Sequence, residues 1–129
     1  MTPAALAAPA EPKLAGMASL VEALEAAPVV IDGGLGTLLE ARGHDLTSSL
    51  WSARLLLDQP EVVRAAHAEF FEAGARVAIT ASYQVSYEAL EEEGLDPRAV
   101  DRLLARSVEL ARAARADAGL NPGEAWAAP

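Results

Sequence analysis

The chain has 129 residues, of which 52% are hydrophobic but only 5% aromatic, and its formal net charge is −9. Ten Lys and Arg against nineteen Asp and Glu argue against a nucleic-acid binder, which needs a basic patch. There is no cysteine, which excludes disulfides, thiolate metal sites and thiol nucleophiles within the chain. No stretch approaches the roughly 20 apolar residues of a membrane-spanning helix, so no membrane partner is expected.

Residues 1–18 are rich in Ala and Pro and are predicted to be a disordered extension. Met17 is a plausible alternative start, because organised patterning begins just after it. The segment has no basic stretch followed by an apolar run, so a cytoplasmic location is expected. Residues 19–129 form the predicted domain. Ser19 is placed to cap a helix through Ala26, with Leu20, Val21 and Leu24 on one side. Pro28 ends it. Val29-Val30-Ile31 then reads as a short buried strand, apolar on both faces as parallel strands are.

A turn follows at Asp32-Gly33-Gly34-Leu35-Gly36-Thr37, then a helix over Leu35 to Ala41 and a polar loop from His44 to Ser49. Apolar structure restarts at Leu50-Trp51-Ser52-Ala53. Pro60 suits the first position of a helix running to Ala73, with Val62, Ala66, Phe70 and Ala73 on one face and Val63 beside them. Gly74 is its C-terminal glycine. Val77 to Ala81 reads as the second strand, parallel to the first because a helical crossover joins them.

Ser86 is predicted to cap a short acidic helix ending at Gly94, and Asp96-Pro97 to open a long helix closed by Gly119. The long helix carries an apolar stripe of Val100, Leu103, Leu104, Val108 and Ala111. The period of strand and helix places a third strand near Ala125, where the chain is expected to stop short of it. The fold class expected is α/β: about two βα units, the N-terminal part of an incomplete (β/α)₈ TIM-type barrel. A complete barrel takes about 250 residues. Two parallel strands with open edges predict marginal stability, self-association or a complementing chain.

Several side chains could carry chemistry. Asp32 falls at the carboxyl end of a strand, where barrels place their ligands. A carboxylate there can hold an ammonium group, and the uncovered amides of Gly33 and Gly34 can hold a carboxylate, which suits an amino-acid zwitterion. Asp and Gly also recur at such turns for conformational reasons alone. Thr80 ends the neighbouring strand; its hydroxyl either reaches the same ligand or satisfies the strand end. Trp51 either lines a pocket or fills core. His44 and His67 have no paired ligand spacing and read as structural. Gly34-x-Gly36 is a partial dinucleotide loop, because position 39 is Leu where the fingerprint has its third glycine.

One ordered set of motifs goes further. It runs Ile31-Asp32-Gly33-Gly34-Leu35-Gly36-Thr37-x-x-Glu40-x-x-Gly43, then Leu50-Trp51-Ser52-Ala53, then Pro60-Glu61-x-Val63 and His67-x-x-Phe70-x-x-Ala73-Gly74-Ala75. It closes with Ile79-Thr80-Ala81-Ser82-Tyr83-Gln84. From about Ala18 to Ala118 the chain resembles the homocysteine S-methyltransferase family. The Ser-Tyr-Gln form after Thr80 resembles the branch whose methyl donor is S-methylmethionine or S-adenosylmethionine.

That resemblance implies a barrel binding homocysteine, a methyl-sulfonium donor and zinc, the zinc holding the substrate sulfur as a thiolate. Unassisted, a thiol of pKa about 8.5 is mostly protonated at neutral pH. By position, Asp32 would bind the substrate ammonium, Gly33, Gly34 and Thr80 its carboxylate, and Trp51 would be a pocket or packing residue. The family's zinc ligands are cysteines on later strands, including a Gly-Gly-Cys-Cys motif, and this sequence has none of them. Neither a catalytic residue nor a metal ligand is therefore expected in this chain.

Three functions follow as expectations. The first is methyl transfer to homocysteine sulfur, giving methionine. The second is an inactive remnant or split piece. The third is a nucleotide-binding α/β domain.

Overall fold

The computed structural model describes residues 19–129. The extension expected over residues 1–18 lies outside them. Six helices and two strands follow in the order α1 (Leu20–Ala26), α2 (Leu35–Ala41), α3 (Trp51–Asp58), α4 (Pro60–Glu72), β1 (Val77–Ile79), α5 (Tyr87–Glu92), α6 (Pro97–Asp117) and β2 (Trp126–Ala128). No helix among them is long and apolar enough to cross a membrane.

The caps are those the sequence predicts. Ser19 forms a reciprocal capping box with Glu22, its hydroxyl accepting the Glu22 N–H at 3.2 Å while Glu22 accepts the Ser19 N–H at 3.0 Å. Ser86 and Asp96 cap α5 and α6 through the amides of Ala89 and Ala99. Gly74 and Gly119 end α4 and α6 at φ +114° and +74°, a region open to glycine without a Cβ clash. Each releases the chain towards the next strand.

β1 is central. Trp126, Ala127 and Ala128 of β2 pair in parallel with Val77, Ala78 and Ile79. On the other side Ile31 bridges Val77, also in parallel. The third strand therefore forms in the last residues of the chain, after about two βα units, which corrects the expectation that the chain stops short of it. The first strand, expected over Val29–Ile31, is reduced to this single bridge. Val30 O accepts from the amides of both Arg76 and Val77, and Asp32 N–H donates to Val77 O. The next ladder bond would join Ile79 N–H to the Asp32 carbonyl. The Asp32 side chain takes it instead, its Oδ2 accepting from Ile79 N–H at 3.0 Å. The carboxylate ends the ladder and frees the glycines to turn away.

α4 and α6 cover one face of the sheet. Phe71, Ala111, Ala114 and Ala125 close on Ala78. A larger apolar cluster joins Leu35 and Leu39 of α2, Leu56 of α3, Val63 of α4 and Leu103 of α6. The α4 face is rotated from the one expected. Val63, Ala66, His67 and Phe71 are buried, Val62 and Phe70 are half-buried, and Ala73 is exposed. On α6 the stripe runs Val100, Leu103, Ser107, Ala111 and Ala114, with Leu104 and Val108 at its margin. Ser107 is tolerated in it because its hydroxyl donates to Leu104 O at 2.7 Å. The opposite sheet face is open. Ile31 and Ile79 on it keep 61% and 39% of their surface exposed, and Val30, which alternation turns to the other face, also keeps 61%, contrary to the buried strand expected over Val29–Ile31.

Candidate amino-acid-binding cleft

A cleft of about 360 Å³ opens where β1 ends and the Asp32 turn begins. It is lined by Asp32, Gly33, Gly34, Leu35, Gly36, Thr37, Trp51, Ile79 and Tyr83. Asp32 is its single carboxylate. One Asp32 oxygen is held by Ile79 N–H, and the other, Oδ1, is buried with no hydrogen-bond partner among the described residues. Burial raises the Asp32 pKa above the usual carboxylate value, against the opposing hydrogen bonds from the Ile79 and Asp32 amides. A buried, half-satisfied carboxylate favours a cationic hydrogen-bond donor as its partner.

The glycines let the walls close up. A Cβ on Gly33 would lie 3.2 Å from Phe70 Cε1, so α4 packs directly under the turn. A Cβ on Gly36 would lie 3.1 Å from Trp51 Cζ2, so the indole rests on the α2 backbone. Within the described residues no hydrogen bond uses the N–H of Gly33 or Gly34, and Gly34 caps α2 without a side chain. The far wall is aromatic. Trp51 and Tyr83 meet edge to face, with centroids 5.8 Å apart and planes at 68°.

Four of the five residues singled out from the sequence therefore meet here: Asp32, Gly33, Gly34 and Trp51. Thr80 is not among the lining residues. It is 1% exposed, and its hydroxyl is bonded to that of Ser82 at 2.8 Å. Tyr83, Thr37 and Ile79 complete the lining. Tyr83 stands in the Ser-Tyr-Gln motif, which was the available signal; nothing in the sequence says that its ring reaches Trp51. Leu39, where a dinucleotide loop would have its third glycine, is a core side chain with 1% exposure. Among the described residues no three His, Cys, Asp or Glu side chains gather as a metal site.

The fold and site define a parallel α/β unit with an acidic, aromatic-walled cleft at its strand ends. The homocysteine S-methyltransferase family model matches residues 29–127. The chain belongs to the homocysteine S-methyltransferase family. It is 47% identical over 87 residues to homocysteine S-methyltransferase of Escherichia coli strain K12, covering 67% of this chain and 28% of that protein. It is 46% identical over 86 residues to selenocysteine methyltransferase of Astragalus bisulcatus, covering 67% and 25% respectively. The metallated form of the homocysteine methyltransferase MmuM from Escherichia coli superposes with a TM-score of 0.74 at 41% identity, covering 83% of this chain and 38% of that one. The oxidized form gives 0.67 at 46% identity, covering 69% and 30%. The chain thus spans about a quarter to two-fifths of the length of these relatives.

Proposed function

We propose that the Asp32 cleft holds the amino-acid end of homocysteine, as part of a cytoplasmic enzyme that methylates its sulfur to give methionine. The donor in this reading is a methyl-sulfonium compound, S-methylmethionine or S-adenosylmethionine. The observation that carries it is the buried Asp32 carboxylate with one oxygen unpartnered, beside the unused amides of Gly33 and Gly34. Asp32 pairs with the substrate ammonium, the two glycine amides take its carboxylate, and Trp51 walls the side chain. Thr80, bonded to Ser82, supports the rim rather than touching the ligand.

The family resemblance implies zinc. The described residues do not fit it: no metal-binding group of side chains is present among them, and the chain has no cysteine. What these residues supply is binding and orientation. The (β/α)₈ barrel belongs to the same proposal. Its support is the parallel order of three strand segments with helices on one face and exposed Ile31 and Ile79 on the other, the face a barrel turns inwards.

Calorimetry with homocysteine, and with its analogue lacking the amino group, tests the clamp. Homocysteine should bind, and Asp32→Asn should weaken it by about 10- to 100-fold, the worth of a hydrogen bond to a charged group. The desamino analogue should bind both proteins alike. Equal homocysteine affinity in the two proteins would refute the assignment.

A further inference from the structure

Gln84 has no part in the clamp, yet it makes a long-range bond. Its Oε1 accepts the backbone N–H of Ser52 at 2.9 Å, across 32 residues of sequence. Ser52 lies in the first turn of α3, where amides have no partner inside the helix. The residue before that turn, Leu50, supplies no side-chain cap. Gln84 therefore caps α3 from the loop after β1.

That loop is itself braced. The Thr80 and Ser82 hydroxyls are bonded at 2.8 Å, and Val85 N–H donates to Ser82 O at 2.8 Å. The brace presents two neighbours in different directions. Tyr83 lines the cleft, and Gln84 holds the start of α3, where Trp51 is the first helical residue. Trp51 then has four constraints: the Gly36 backbone, the Tyr83 ring, the Ser48 carbonyl that accepts its own N–H at 3.2 Å, and the Gln84 cap one residue along.

We infer that Gln84 is a positioning residue, which caps α3 and so fixes Trp51 as the wall of the cleft. The inference rests on reading the cleft as the ligand site, but the ring placement is measured without ligand.

The chain has two tryptophans, so a Trp126→Phe background leaves Trp51 as the only reporter. In it, Gln84→Met keeps the side-chain length without the amide acceptor, and Gln84→Glu keeps an acceptor. The Met variant should lose the near-ultraviolet circular dichroism of Trp51, shift its emission to longer wavelength and raise the homocysteine Kd about fivefold, the scale of one neutral hydrogen bond. The Glu variant should restore all three. Amide exchange adds a reading on the unaltered chain, where Ser52 N–H should be protected. Unchanged Trp51 signals in the Met variant, failure of Glu to restore them, or exchange of Ser52 at the rate of an open amide would each overturn the inference. Should Gln84→Met fail to fold, the Ser52 exchange decides. Altered Trp51 signals with no homocysteine binding by the unaltered chain would support the positioning role while refuting the clamp.

Discussion

His67 sets the acid limit of this fold. Its side chain on α4 has no exposed surface, and neither ring nitrogen has a hydrogen-bond partner among the described residues. Burial lowers its pKa from 6.5 to about 4. The native state therefore holds His67 neutral while the unfolded chain takes up a proton between these values. Stability is fully present above pH 6.5 and is lost as pH falls towards 4. Between pH 7 and 4.5 the linkage amounts to about 2 kcal/mol, since a tenfold difference in proton affinity is worth about 1.4 kcal/mol. For a chain of this size that lowers Tm by about 10 °C. Thermal unfolding across this range should show the fall, and His67→Leu should remove it. The Leu variant should also be no less stable at pH 7, because it replaces two unsatisfied nitrogens by apolar atoms of similar bulk. Asp32, whose pKa is raised, works with the opposite sign, so the difference between the two proteins is the quantity that isolates His67. Parallel pH profiles for the two proteins would refute the argument.

Three further outcomes are expected. Binding of homocysteine should release protons near the raised Asp32 pKa and weaken as pH falls through it, because the ammonium pairs with the ionised carboxylate; calorimetry in buffers of different ionisation enthalpy measures this. Gly36→Ala should destabilise the fold by about 1 kcal/mol in urea unfolding and move Trp51 emission, since overpacking against an indole 3.1 Å away outweighs the gain in helix propensity. Leu103→Ala should cost about 3 kcal/mol in the same assay, whereas Val21→Ala, at a position 65% exposed, should stay within about 0.5 kcal/mol.

Helix boundaries were legible because they rest on local chemistry. Ser19, Ser86 and Asp96 cap the next few amides wherever they occur, and Gly74 and Gly119 accept a positive φ that a side chain would resist. The ordered motifs also named residues that share one cleft, because Asp32, Gly33 and Gly34 are contiguous. Periodicity was less informative about faces. Ser107 is polar and His67 ionisable, yet both are buried, one by bonding its own helix and the other by giving up its proton.

Tertiary structure decided the rest. The first strand shrinks to one bridge because the Asp32 carboxylate, rather than its carbonyl, takes the Ile79 amide. Trp51 becomes a cleft wall because Gly36 lets the ring approach the helix backbone and Tyr83 meets its edge. Thr80 stays out of the cleft lining because it is 1% exposed and its hydroxyl is bonded to that of Ser82. Composition, caps and the motif order thus belong to the sequence by itself, since each depends on neighbours a few residues away. Which side chain satisfies which amide depends on groups 32 and 47 residues apart, and only the folded chain brings those together.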